Sequence, residues 1–295
     1  MLLEQVSPKA NGDENAREAF NYVVAITKAN NLRKTLPISH RVIKEAHAIL
    51  LSGMSHARGA GKKPGEYKSS QNAIGKTGDT ETTARYVPPP PAETQKCMDQ
   101  LEAFINRTDR AKGEELIDLA IMHYQFEAIH PFNDGNGRIG RMLVTLMAQD
   151  MKLVDQPLLH ISANLENKKD EYIDKLFAVS TNEDWIGWIG FFLDVVKESC
   201  SAATQVVDKI INLQTEYKQR AFQNKGNHRL STIIDSLFVT EWTTVGDAQK
   251  LCGVTFPTAQ ADLQELVALK ILEQIANTRP AIHVAREILN LSSRN

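Results

Sequence analysis

The stretch "HPFNDGNGRIGR", residues 130–141, lies between two segments of helical texture, and its reading decides the fold. Before it, Ile117, Ile121, Tyr124 and Ala128 recur at three-to-four spacing over residues 114–128, which predicts a helix with one apolar face. After it, Ile139, Met142, Leu143, Leu146 and Met147 form a second stripe of the same period. A glycine-rich turn that runs straight into a helix leaves backbone N–H groups unpaired at the positive end of the helix dipole, a place that binds phosphates. Arg138 and Arg141, one turn apart on that start, offer forked donors to phosphate oxygens. Asp134 stands where a carboxylate can hold Mg²⁺ against a di- or triphosphate. His130, four residues earlier, can accept a proton near neutral pH. "DGNG" alone is an ordinary turn, and a lone His before Pro an ordinary loop residue. Together, at this spacing, the groups suit the splitting of a nucleoside triphosphate onto a hydroxyl. Neither G-x-x-x-x-G-K-[ST] nor a strand followed by G-x-G-x-x-G occurs in the chain.

Working outward, 295 residues predict about two domains. A formal net charge of -2 gives no general attraction to nucleic acid or anionic membranes. Cys97, Cys200 and Cys252 are too few and too scattered for a disulfide framework, which predicts a reducing, cytoplasmic setting. The first residues do not have the pattern of a signal peptide, and no apolar run reaches the ~18 residues needed to span a bilayer.

Further helices are predicted over residues 15–29, 39–51 (with Ser39 as N-cap), 92–106, 168–179 and 185–219. Residues 55–91, rich in Gly, Pro, Ser, Thr and Lys, predict a loose β-hairpin with strand-like pieces at 66–74 and 84–87, ended by Pro88–Pro91. "QNKGNHR", 223–229, reads as a linker between domains at 1–222 and 223–295. Beyond it come helices at 230–238, 245–252 and 258–269, then two short strands around a turn at 277–280, the order of a winged helix.

The loop matches every fixed position of H-x-F-x-[DE]-G-N-G-R-x-x-R, and through it the chain resembles the Fic family with a C-terminal winged-helix domain. "LPISHRVIKEAHAILL", "PGEYKSSQNAIG" with "ARYVPPPP", and "HYQFEAIHPF" extend the likeness to the preceding helix, the target-docking flap and the approach to the loop. The resemblance implies a mainly α fold, a Fic-type helical domain with a β-hairpin flap followed by a small winged-helix domain. It also implies transfer of AMP from ATP, with Mg²⁺, to a Ser, Thr or Tyr hydroxyl of a target protein docked at residues 66–87. Carried over by residue, His130 resembles the general base and Asp134 the Mg²⁺ ligand. Gly135, Asn136 and Gly137 resemble the anion cradle, and Arg138 and Arg141 the phosphate clamps. Phe132 resembles a core anchor of the loop, and Gln125 and Asn167 match positions near the nucleoside. His47 and His123 are read as core residues, and Trp185 and Trp188 as core material.

Removal of AMP, or transfer of another phosphate-containing group by the same site, is the alternative within this chemistry. A DNA-binding regulator is the alternative outside it. Residues 225–295 carry seven Lys/Arg against seven Asp/Glu, which disfavours DNA. Many relatives carry an inhibitory helix, [ST]-x-x-x-E-[GN], whose Glu pairs with the second motif Arg. The nearest approximation is "ANGDEN", residues 10–15, with Ala at the cap and an interior Gly. Glu14 is therefore expected not to reach Arg141, leaving the enzyme uninhibited in cis or restrained by a homodimer or a regulatory partner.

Overall fold

The computed structural model describes residues 14–55, 63–75, 80–156, 159–223, 228–276 and 278–292. The chain divides into two compact units, 1–200 and 201–295. In the first unit the helices are α1 (Glu14–Leu32), α2 (His40–Leu50), α3 (Pro91–Ile105), α4 (Glu115–Ile129), α5 (Asn136–Asp150), α6 (Ser162–Asn167) and α7 (Lys169–Asn182). The long α8 (Trp185–Gln223) begins there and ends in the second unit. The unit boundary thus falls inside α8 rather than at 222/223. The reason is packing: Tyr217 and Ala221, on the last turns of α8, belong to the same core as Leu230 and Ile233.

Helices α4 and α5 are central to the first core. On α5 all five stripe residues are buried, from Ile139 to Met147. On α4 the single expected face is not what is found. Ile117 is exposed, whereas Leu119, Ala120, Met122, Tyr124, Phe126 and Ile129 are buried around the helix. A helix packed by neighbours on several sides no longer needs an apolar stripe. The α4 start is fixed by the buried Asp118, which accepts from Arg107 Nη2 at 2.8 Å and from Arg110 Nε at 2.5 Å. Trp188 Nε1, fully buried, donates to Ala120 O at 2.9 Å and ties α8 to α4. Ser39 occupies the N-cap of α2 without a side-chain capping bond. Asn21 of α1 donates to Leu50 O and Ser52 O, closing the end of α2 instead.

The hairpin is reduced to one antiparallel bridge among the described residues, Ile74 with Tyr86, whose two backbone bonds measure 2.9 and 3.0 Å. No strand forms at 66–74 or 84–87 because side chains do the pairing there, as when Gln71 Nε2 donates to Pro88 O at 2.8 Å.

In the second unit, α9 (His228–Leu237), β1 (Trp242–Thr244), α10 (Val245–Cys252), α11 (Phe256–Ala268), β2 (Glu273–Gln274), β3 (Ile282–Val284) and α12 (Arg286–Ser292) surround a core of Leu230, Ile233, Leu263 and Leu266. The sheet is antiparallel, in the order β1-β3-β2. Thr244 and Asp247 form a reciprocal capping box at the start of α10, and Gly253 at φ 64° ends it. On α11 the buried Asp262 is bound by Arg229 at 2.8 and 3.1 Å, so that part-exposed cation is already paired within the unit.

Candidate active site

His130 caps α4 in the left-handed conformation, at φ 47° and ψ 60°. A non-glycine residue there costs roughly 1–2 kcal/mol and persists only where its surroundings hold it. Its Nδ1 lies 3.2 Å from Glu127 O. A ring nitrogen facing a carbonyl must carry the proton, so Nε2 is left with the lone pair. Burial pulls the imidazole down to about 4, and the Lys68 charge adds to this against the Glu127 bond and the Asp134 charge. The ring is therefore neutral at pH 7, which a base needs to be.

The loop is braced from inside. Asn136 Oδ1 accepts from Phe132 N–H at 2.9 Å and its Nδ2 donates to Phe132 O at 2.8 Å. The side chain of Asn136, 3% exposed, is thus turned inward to hold the loop. Gly135 sits at φ 79°, where an L side chain would be strained, with His47 ring atoms 3.4 Å from the place of a Cβ. The Asp134 carboxylate, half-buried, accepts from Gly135 N–H at 2.6 Å and from Arg138 Nη2 at 3.2 Å. Among the described residues no group of three or more His, Cys, Asp or Glu could hold a metal. One carboxylate at a helix N-terminus nevertheless fits a hard cation that is shared with phosphate oxygens.

The two arginines have partners already. Arg138 Nη1 lies 2.9 Å from Glu18 Oε1 on α1, and Arg141 Nε donates to Ser162 Oγ at 3.1 Å. Glu14 accepts from Ser55 N–H at 3.1 Å. Ala10–Asp13, the rest of the inhibitory approximation, fall outside the described residues. Glu127 is a second acid of the site. Its Oε1 is buried without a hydrogen-bond partner, a Cβ at Gly140 would stand 2.5 Å from it, and burial raises its carboxyl to about 7 against Arg141.

A cavity of about 160 Å³ lies beside His130, lined by Ile74, Tyr86, Tyr124, Glu127, Tyr172 and Phe177 among others. Gln125 does not line it. That residue faces a neighbouring cavity of about 670 Å³ with Gln100, Phe104, Glu183 and Trp185, behind a shared wall of Tyr86 and Tyr124. Asn167 is exposed at the end of α6, the helix that begins with the Arg141 partner Ser162.

His47 is a core residue as the sequence reading has it, but its part in shaping the loop, with that of Lys68 and Asn72, was not read from the sequence. His47, fully buried, stacks on Phe132 with ring centroids 3.7 Å apart. Its Nδ1 accepts from Gly65 N–H at 2.8 Å, so Nε2 donates to Asp134 O at 2.9 Å. Lys68 and Asn72 reach the loop from the flap segment. A histidine on the apolar face of α2, among Val42, Ile43, Ala46 and Leu50, was the available signal, since a buried imidazole needs two partners.

Residues 37–148, which include α2 to α4, the loop and most of α5, match the Fic/DOC family. A "probable protein adenylyltransferase" from Aquifex aeolicus is 32% identical over 97 residues, 32% of this chain and 26% of that protein. "Protein adenylyltransferase Fic" from Aedes aegypti is 29% identical over 110 residues, 37% of this chain and 19% of that one. The chain thus spans about a fifth to a quarter of the length of these curated relatives. Among solved structures, a Fic family protein from Desulfovibrio desulfuricans has a TM-score of 0.55 at 18% identity, covering 93% of this chain and 76% of that one. A Fic domain containing signaling protein from Bacteroides thetaiotaomicron has a TM-score of 0.51 at 22% identity, covering 68% and 76%. At these identities the likeness is one of fold. No described helix is long and apolar enough to cross a membrane.

Proposed function

We propose that the chain transfers AMP from ATP to a Ser, Thr or Tyr hydroxyl of a target protein, releasing pyrophosphate. The observation that carries the reading is a neutral His130 with a bare Nε2, held beside a helix N-terminus and two arginines. The target hydroxyl loses its proton to His130 Nε2 as its oxygen attacks the α-phosphorus. The bond from that phosphorus to the bridging oxygen breaks, and the electron pair leaves on pyrophosphate. The first amides of α5, with Arg138 and Arg141, hold the charge that gathers there. Asp134 would hold Mg²⁺, whose role is to screen the phosphates. Residues 66–87 would dock an extended target segment beside the bridge of Ile74 and Tyr86. The second unit is read as a winged helix used for protein contact.

The test is incubation of the full chain with labelled ATP, Mg²⁺ and a cell lysate, with His130→Ala in parallel. The parent should label protein, and His130→Ala should lose transfer while still binding an ATP analogue. Transfer at the parental rate in His130→Ala would overturn the assignment.

A further inference from the structure

The carbonyls that close α4 have a problem that the loop cannot solve alone. The chain turns left-handed at His130, Pro131 has no N–H to give, and the last helical carbonyls have no acceptor role within the helix. Four consecutive carbonyls, from Ile129 to Phe132, each accept from one of two residues of the flap segment, Phe132 O sharing its flap donor with Asn136 Nδ2. Lys68 donates through its backbone N–H to Pro131 O at 2.8 Å and through Nζ to Ile129 O at 3.1 Å. Asn72 Nδ2 donates to His130 O at 3.1 Å and to Phe132 O at 3.0 Å. The two side chains are themselves joined, Lys68 Nζ to Asn72 Oδ1 at 2.9 Å. Lys68 is 3% exposed, and its hydrogen bonds go to neutral oxygens. A lysine is rarely kept this deep without a carboxylate partner. Its donors are aimed at the peptide groups on either side of the imidazole.

We propose that Lys68 and Asn72 are positioning residues for His130, so that the base of the flap, rather than α4 alone, holds the imidazole in its left-handed setting over the cavity. The inference rests on the reading of His130 as the base. Without the two side chains, Ile129 O and His130 O lose their flap donors and the His130 peptide planes are free to turn, while Pro131 O keeps the Lys68 backbone N–H and Phe132 O keeps Asn136 Nδ2. Nucleotide contacts, which come from α5, stay in place. The flap then has two duties, docking outside and aiming inside.

Lys68→Met keeps the length of the stem and removes the side-chain donors, and Asn72→Ala removes three bonds at a half-buried position. Both are compared with the parent, Lys68→Arg and His130→Ala in the full chain. The readouts are kcat and KM for ATP, affinity for a non-hydrolysable ATP analogue, and the His130 ring signals by NMR. In both variants kcat should fall about tenfold or more, part of the ~10²–10⁴-fold a placed base contributes. KM for ATP and analogue affinity should stay within about twofold of the parent. The His130 ring signals should move, and Lys68→Arg should regain most of kcat by restoring a charged donor. Unchanged kcat and ring signals in both variants would overturn the clamp. So would a parallel loss of analogue affinity, which marks general damage. Should Lys68→Met not fold, Asn72→Ala decides by the same readouts. Parental transfer in His130→Ala would instead sink the base itself, leaving the ring signals to judge the clamp.

Discussion

Lowering the pH from 7 to 5 should destabilise the first unit by about 3 to 4 kcal/mol, because three buried imidazoles there are kept neutral by the fold. Burial pulls His130 and His47 down to about 4 and His123 to about 3, from an ordinary value of 6.5. The unfolded chain therefore takes up these protons as pH falls through 6.5, whereas the folded chain does so only near 4. Stability is lost across that window. At about 1.4 kcal/mol per pKa unit, each imidazole costs about 2 kcal/mol at pH 5. Glu127 works the other way. Its folded value near 7 lies above the ordinary 4.5, so it gains stability as pH falls through 7, returning about 2 kcal/mol by pH 5. Partial desolvation also lowers the surface residue His160, which pushes in the same direction as the other histidines. The assay is urea unfolding at pH 7, 6 and 5, followed by Trp185 and Trp188 fluorescence in a Trp242→Phe background. A stability that is flat or rising between pH 7 and 5 would refute the argument that burial holds these rings neutral.

Glu18→Gln should tighten binding of an ATP analogue about two- to fivefold, because the ion pair to Arg138 must open before phosphate can use that guanidinium, and a part-exposed pair is worth ~0.2–1 kcal/mol. Isothermal titration measures this, and unchanged or weaker binding would mean the pair and the phosphate do not compete. His47→Phe keeps a ring against Phe132 but loses the bonds to Asp134 O and from Gly65 N–H. The Mg²⁺ concentration for half-maximal transfer should rise about tenfold or more, the usual cost of removing support from a metal-holding group. A curve that overlays the parent's would leave His47 a packing residue only.

Much of the fold was legible because its longest helices carry strong periodicity. The helix at 245–252 matches its expected span, helped by the Thr244–Asp247 box and Gly253. The loop was legible because its chemistry is local, from His130 to Arg141. Short elements were not. The six-residue α6, the three-residue β1 and α12 are set by tertiary contacts, and few residues give no period to read. The flap was overread as strands because β-branched and polar residues at 66–87 suit strands as well as the side-chain bonding that is found. The burial of His47 was legible, but the bonds that His47, Lys68 and Asn72 make to the loop were not. Each acts on backbone carbonyls 58 to 87 residues away, and a carbonyl leaves no mark in a sequence.

The single bridge of Ile74 and Tyr86 divides the flap segment at a useful place. Lys68 and Asn72 stand on the near side of it, and the described residues between the bridge partners, 75 and 80–85, form the far side. Under the roles assigned here, the near side governs how fast the chemistry runs and the far side governs which protein is chosen. The far side then becomes an exchangeable cassette. Its sequence can drift, or be rewritten by an engineer, to redirect the enzyme toward a new protein, while the four carbonyl anchors beneath the histidine keep their donors.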